Sequence, residues 1–184
     1  MLRFNSDHKF KIMQIADTQE IPAVSPDTLS LINNALDREK PDLVIFTGDQ
    51  IKGYSKKFKK DPVIIESTID ILVEPIAKRN IPFMVTYGNH DAQCGVDNRG
   101  QYKFYAKYDN FISGDLRNSD DVGTADIQIY SSTEDKPVFE LYIIDSHGKA
   151  KDGAGYAPVD KKQIEWYVSV SYTHLRAHET EADL

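Results

Sequence analysis

The sequence predicts an α/β fold for a chain of 184 residues, a length that suits one domain with a sizeable core. Short apolar segments of strand length alternate with longer segments in which apolar residues recur at helical spacing. Polar residues directly follow several of the apolar segments. Strands that alternate with helices are typical of a parallel sheet with crossover connections.

The first half of the chain predicts a β-α-β-α-β unit. Apolar segments at residues 11–16, 43–47 and 81–85 are bounded by turn residues and predict strands. Residues 27–40 and 62–79 each carry an apolar face and predict helices. We expect Ser25 or Asp27 to cap the first helix and Pro75 to kink the second.

The second half predicts one helix, a hairpin and a short final helix. Residues 101–111 are rich in aromatic side chains and predict a helix that packs through them. Segments 125–130 and 137–145 predict antiparallel strands, because the residues between them have turn composition. Residues 160–168 predict the last helix, and the residues before Phe10 predict a loose lead-in.

Three of the predicted strands end in residues that can bind metal. The segments that follow them are Asp17-Thr18-Gln19, Gly48-Asp49 and Gly88-Asn89-His90-Asp91. Parallel strands in register would bring Asp17, Asp49 and Asn89 to one edge of the sheet, where ligands bind in open α/β folds. Converging oxygen ligands suit a divalent metal, and a shared carboxylate suits two. Gly-Asn-His-Asp is also ordinary turn composition, so this stretch alone fits both interpretations.

The overall composition excludes several classes of protein. A net charge of -7 argues against nucleic-acid binding, which requires a basic face. No apolar run is long enough to span a membrane, so we expect no membrane partner. The single cysteine, Cys94, rules out an internal disulfide and a cysteine-based zinc site. The first residues lack the apolar region of a signal peptide, and we therefore expect a cytoplasmic location.

The ordered set of motifs resembles the calcineurin-like metallophosphoesterases. The surrounding sequence is most similar to the branch that contains the small purple-acid-phosphatase-like proteins, and the resemblance runs from about Phe10 to about Tyr167. It implies a β-sandwich core flanked by helices, of which this chain holds the N-terminal part. The residues alone support only the α/β class.

The resemblance also implies a metal-ligand set made of Asp17, Gln19, Asp49 and Asn89. Asp49 would bridge two divalent ions of unknown identity (Mn, Fe, Zn or Mg). Asp17 would bind the first ion, and Asn89 would bind the second through its amide oxygen. Each of these residues has an alternative interpretation as a loop or turn residue.

Catalytic roles are implied for His90 and Asp91. His90 would stabilise the leaving oxygen or the phosphate in the transition state, or act as the general acid. Asp91 would orient His90, with a capping role as an equal alternative. His147 follows a strand and is interpreted either as a substrate contact or as a histidine in a surface loop.

This sequence departs from the pattern of the resembling family at two places. The first motif usually reads Asp-x-His, and here Gln19 occupies the position of the histidine. Glutamine binds a hard metal through oxygen but is a weaker ligand than imidazole for zinc or iron. The later histidine ligands, including a Gly-His-x-His motif, are absent from the sequence. We therefore expect this chain to have an incomplete site and to be inactive.

The last residues look unlike a natural protein segment. Residues 170–180 match one reading frame of a transposase sequencing adapter. We therefore predict a phosphoesterase domain at residues 1–169, incomplete at its C-terminus, and a non-native read-through tail at residues 170–184. On this interpretation His174 and His178 are not a metal-binding pair.

The predicted function is hydrolysis of phosphomonoesters or diesters by a hydroxide that two metals activate. The predicted substrate is a phosphorylated small molecule or protein. The alternative is a binding or regulatory module that keeps the fold but has lost catalysis, and Gln19 points in that direction. Measuring how much metal the protein binds would separate the two.

Overall fold

The computed structural model describes residues 1–113, 121–150, 153 and 155–179, with side chains through residue 172. These residues form six strands and four α-helices. In chain order they are β1 (Leu2–Arg3), β2 (Ile12–Ile15), α1 (Pro26–Glu39), β3 (Leu43–Thr47), α2 (Pro62–Ala77), β4 (Phe83–Thr86), α3 (Asn98–Ala106), β5 (Ala125–Tyr130), β6 (Pro137–Ile143) and α4 (Lys161–Glu179).

Polar side chains fix where the first three helices begin. Ser25 accepts a hydrogen bond from the backbone N–H of Asp27 at the start of α1, and Asp61 accepts one from Val63 at the start of α2. Asp97 does the same for α3. In α1 and α2 the next residue is proline, which has no N–H to leave unsatisfied and whose fixed φ suits the first turn.

Within the described residues the strands form two three-stranded sheets, with orders β2-β3-β4 and β1-β5-β6. In the first sheet all strands are parallel, with Ile15 opposite Phe46 and Phe46 opposite Val85. In the second sheet β5 and β6 are antiparallel, and β1 pairs in parallel with β5. β4 is buried throughout and β3 is buried except at Thr47, as expected for parallel strands covered on both faces.

Alternate residues of β3 and β4 enter two different cores. Val44, Phe46 and Val85 pack against the apolar faces of α1 and α2. Leu43, Ile45 and Met84 point the other way and pack against the second sheet. The members of the second sheet in that contact are Ala125, Ile127 and Ile143. The two sheets therefore form a sandwich with α1 and α2 on one outer side.

The fourth helix covers the outer face of the second sheet. Tyr142 of β6 contacts the rings of Trp166 and Tyr167 in α4, with centroids 6.3 and 4.9 Å away. The β-sandwich with flanking helices that the resemblance implied is thus confirmed, and so is the α/β class.

Some local predictions were wrong. The segment before Phe10 is not a loose lead-in, because β1 pairs with β5 and Arg3 bonds to the carbonyl oxygens of Ser131 and Glu134. The predicted third helix begins earlier, at Asn98, since Asp97 caps it there. A two-residue strand is too short to carry a periodic pattern, so β1 could not be predicted from local sequence.

The final helix is longer than predicted and continues to Glu179. Residues 170–179 contain no glycine or proline, so nothing in their composition ends a helix. The division into a domain at residues 1–169 and a read-through tail stays a prediction. Residues 180–184 of that tail lie outside the described residues.

Truncation of Phe46 to alanine should destabilise the fold by about 3–5 kcal/mol, because it leaves a cavity in the core. Phe46 is 1% exposed and meets Phe83 edge to face, with ring centroids 6.4 Å apart. Phe139→Ala is the matched control, since Phe139 is 49% exposed and should cost about 1 kcal/mol or less. Urea unfolding measures both, and equal losses would contradict the assignment of the core.

Candidate metal centre

The loops after β2 and β3 are joined by backbone hydrogen bonds at the predicted edge of the sheet. The N–H of Asp17 donates to the carbonyl of Gly48 at 3.1 Å, and the N–H of Gln19 donates to the carbonyl of Asp49 at 2.9 Å. These bonds continue the strand pairing past the end of the ladder. They bring the predicted ligands Asp17 and Gln19 alongside Asp49.

The loop after β4 meets Asp49 from the other side. The backbone N–H of His90 donates to Asp49 Oδ1 at 2.8 Å. A Cβ at Gly88 would lie 2.1 Å from the same oxygen, and a Cβ at Gly48 would lie 2.6 Å from the nitrogen of Gly88. Only glycine permits this approach of the two loops. The structure thus brings the loop that carries Asn89 against Asp49, as the strand order predicted.

The backbone at this edge is strained. Asp17, Gln19 and Asp49 all have positive φ values, of 53°, 43° and 54°. Left-handed conformations cost non-glycine residues on the order of 1 kcal/mol or more each, and aspartate tolerates them better than glutamine does. Residues with a strained backbone often lie at functional sites, and three of them at adjacent strand ends point to such a site here.

Asp91 holds the two loops together from inside. Its carboxylate accepts N–H bonds from Asp49 at 2.7 Å, Gly88 at 2.8 Å and Ile51 at 3.2 Å. The side-chain amide of Gln101 in α3 donates to the backbone carbonyl of Asp91 at 2.8 Å. None of the carboxylate's three donors is the imidazole of His90, and all three lie in the loops after β3 and β4 and not in the first turn of a helix. A catalytic role for Asp91 stays a prediction.

Burial dominates the ionisation of Asp91. The residue is 1% exposed, and loss of hydration raises its pKa to about 6 although three backbone N–H bonds favour the charged form. The nearby charge of Asp49 acts in the same direction as burial. The carboxyl group therefore changes charge close to neutral pH.

The side chain of His90 is held on two sides. Its Nδ1 lies 3.1 Å from Gln93 Oε1, and its ring lies edge-on to that of Tyr54 with centroids 4.7 Å apart. Lys52 Nζ lies 5.2 Å from the centroid of the Tyr54 ring. When Nδ1 donates to Gln93, Nε2 is the nitrogen left for an incoming oxygen. The half-buried imidazole therefore has a defined orientation beside Asn89.

The structure reveals a cluster that the sequence analysis missed. Ligand atoms of Asp121, Asp145 and His147 lie within 4.8 Å of one another. Burial raises the pKa of Asp145, which is 1% exposed. A Cβ built at Gly148 would lie 3.7 Å from the Cα of Asn89, so the cluster borders the predicted site. Asp145, like Asp17 and Asp49, follows a strand, and that position was the signal available in the sequence.

A family model for calcineurin-like phosphoesterases matches residues 10–180. The chain belongs to the calcineurin-like phosphoesterase family. Its membership agrees with the sandwich of two sheets and with the placement of the family's motifs at the strand ends. In the described part of the chain, no helix combines the length and the apolar character that a membrane span needs.

Three relatives show how this member compares with named proteins. "Probable inactive purple acid phosphatase 14" of Arabidopsis thaliana is 28% identical and aligns with 92% of this chain and 48% of its own length. "Phosphatase DCR2" of Saccharomyces cerevisiae is 31% identical and aligns with 90% of this chain and 32% of its own length. "Probable inactive purple acid phosphatase 29" of Arabidopsis thaliana is 26% identical and aligns with 90% of this chain and 48% of its own length. The chain spans about half or less of the length of these relatives.

The side chains at the sheet edge fit a hard divalent cation. Asp17 and Asp49 offer carboxylate oxygens, and Gln19 and Asn89 offer amide oxygens. Oxygen donors suit Mg²⁺ and Mn²⁺ better than they suit zinc, which favours nitrogen and sulfur. Asp49 is 7% exposed and has one oxygen fixed by the N–H of His90, which holds the carboxylate in place for a cation.

Asp91 should make stability depend on pH. Because its pKa is raised to about 6 from an ordinary 3.8, the folded state binds more protons than the unfolded state between these values. The free energy of unfolding should therefore fall as pH rises through this window, by up to about 2–3 kcal/mol from this group. Asp91→Asn should remove that contribution.

Urea unfolding at pH 4 to 7, in the presence of a chelator, measures the effect. Asp145 also has a raised pKa, but it is present in both proteins and cancels in their difference. Parallel pH profiles for the original chain and the Asp91→Asn variant would contradict the assignment.

Proposed function

We propose that the chain carries the carboxylate side of a metal-dependent phosphoesterase site that hydrolyses phosphomonoesters, with diesters as the second substrate class. The observation that supports this most is the position of Asp49. Its carboxylate lies where the loops of three parallel strands meet, fixed by the N–H of His90 and approached through Gly88. A carboxylate in that position can be shared between two cations.

Asp17, Gln19, Asp49 and Asn89 would hold two divalent ions, with Asp49 common to both. The oxygen-only donor set favours Mn²⁺ or Mg²⁺ among Mn, Fe, Zn and Mg. Bound there, the ions would supply Lewis acidity toward a water nucleophile and toward the phosphoryl oxygens.

The chain's own groups would position and protonate the substrate. His90, with Nδ1 held by Gln93, would present Nε2 to the oxygen that leaves phosphorus and give it a proton. Tyr54 packs against the imidazole and limits its rotation. Asp91 would act indirectly, by keeping the backbone of Asp49 and Gly88 at the distance that the site requires.

The substrate would be a phosphorylated small molecule or protein. Lys52, beside Tyr54 and His90, brings a positive charge near the site in a chain whose net charge is -7. A local cation of this kind attracts anionic substrates. The one cysteine, Cys94, is buried and unpaired, which is compatible with the proposed location in the cytoplasm.

Asp49→Asn should abolish metal-dependent hydrolysis of p-nitrophenyl phosphate by the full-length gene product. The amide keeps the oxygen that accepts from His90 N–H but loses the charge that binds cations. The control is Asp37→Asn, an aspartate whose side chain is 66% exposed in a surface ion pair with Arg79. Activity that survives Asp49→Asn, or that a chelator does not remove, would refute the proposal.

His90→Asn should lower kcat most for substrates with poor leaving groups. A general acid matters when the departing alkoxide is strongly basic, and it matters little for nitrophenolate. We expect a loss of about 10²–10⁴-fold for an alkyl phosphate and a much smaller one for p-nitrophenyl phosphate. Equal losses on both substrates would assign His90 to phosphate binding and remove its role as the acid.

A second candidate function is a binding or regulatory module without catalysis. Gln19 at the first motif and the word "inactive" in the names of two relatives favour it. The full-length product would then bind less than one metal ion per chain and would show no turnover with any metal. Binding of two ions with no turnover would favour a phosphate-binding module.

A further inference from the structure

We propose that Asp121, Asp145 and His147 bind a divalent cation of their own, which ties the ends of β5 and β6 to the neighbouring elements. This site is distinct from the set made of Asp17, Gln19, Asp49 and Asn89. The proposal does not depend on catalysis, because it concerns a structural cation and is tested by binding.

The geometry of the three side chains suits one cation. Their ligand atoms lie within 4.8 Å of one another. Two donors on opposite sides of a metal with bonds of about 2.0–2.2 Å lie roughly 4.0–4.4 Å apart, and neighbouring donors lie closer, so the three side chains would draw together around the ion. Two carboxylates and one imidazole also form a donor set that Mn²⁺ accepts.

Asp145 is the buried member of the cluster. It is 1% exposed, and Oδ1 accepts the N–H of His147 at 2.8 Å. The imidazole of His147 lies beside this carboxylate, with Nδ1 4.0 Å from Oδ1, which is too long for a hydrogen bond. Burial of a charged carboxylate is costly, and a bound cation would offset that cost.

Two further polar groups point to a ligand at this place. The hydroxyl of Thr86, a residue 7% exposed, is buried without a hydrogen-bond partner. A Cβ at Gly123 would lie 3.1 Å from that hydroxyl and 2.8 Å from Asp145 Oδ2, so both oxygens face the space that Gly123 leaves open. Asn98 donates to Asp145 Oδ2 at 3.2 Å, while its own amide oxygen is buried without a partner. The Thr86 hydroxyl and the Asn98 amide oxygen are therefore buried beside Asp145 without hydrogen-bond partners.

A cation at this position would join several elements. Asp145 follows β6, Asp121 precedes β5, and Thr86 ends β4 in the other sheet. Gln163 of α4 donates to Asp121 Oδ2 at 2.7 Å and reaches the carbonyl of Asp145. The cation would therefore lock α4 and both sheets together at the end of the sandwich that carries the phosphoesterase motifs.

The test uses Mn²⁺ and the 184-residue chain with Asp17→Asn and Asp49→Asn, which remove the carboxylates of the other set. Electron paramagnetic resonance of free Mn²⁺ should show one ion bound per chain. Adding His147→Ala should raise the Kd for this ion at least tenfold. His147 is partly exposed, so its truncation should leave the fold intact, and circular dichroism checks this.

His8→Ala in the same background is the matched control, because His8 is an exposed histidine whose side chain contacts Ser132 in another part of the chain. It should leave the Kd unchanged. Mn²⁺ should also raise the Tm of the background chain, and Asp145→Asn should abolish that rise. No Mn²⁺ binding in the background chain, or a Kd that His147→Ala changes less than twofold, overturns the proposal. Neither result bears on phosphate-ester turnover by the full-length product, which tests the proposed function separately.

Discussion

The carboxylate of Asp91 accepts three backbone N–H bonds, from Asp49, Gly88 and Ile51, and the geometry of the sheet edge depends on them. These donors belong to two loops that leave neighbouring strands, so one side chain sets the distance between them. That distance is so short that the two loops must carry glycine where they touch, as the absent Cβ at Gly88 shows. Burial opposes the charge of Asp91, while the three bonds favour it.

Negative charge accumulates at this edge because of that arrangement. Asp49 lies close enough to Asp91 to raise its pKa further, and Asp145 is buried across the adjoining loop. A cation bound among these carboxylates would stabilise the fold, since it would offset both repulsion and lost hydration. The strained backbone of Asp17 and Asp49 fits the same balance, because local strain persists where binding or the surrounding structure compensates for it.

Local pattern was enough to predict most of the fold and which strand ends meet at one edge of the sheet. The strands at residues 43–47 and 125–130 match residue for residue, because each is a compact apolar or alternating segment between turn residues. The ends of three such strands then located Asp17, Asp49 and Asn89. The role of Asp91 was not predictable, because its partner Asp49 lies 42 residues away in sequence and donates a backbone N–H that no side-chain motif records. The two residues of β1 and the position of Asp121 likewise depend on tertiary pairing alone.

Gln19 is the residue at which this chain departs most clearly from the metal-ligand pattern of the family. Its backbone keeps a left-handed conformation, held by the carbonyl of Asp49, although the side chain is an amide in place of imidazole. The amide oxygen can still face a cation from that position, so the substitution changes the preferred metal more than it removes the site. Loss of nitrogen ligands weakens zinc and iron most, whereas Mn²⁺ and Mg²⁺ lose little. An oxygen-rich edge of this kind therefore favours hard cations such as Mn²⁺ and Mg²⁺ over zinc, in contrast to a histidine-rich edge.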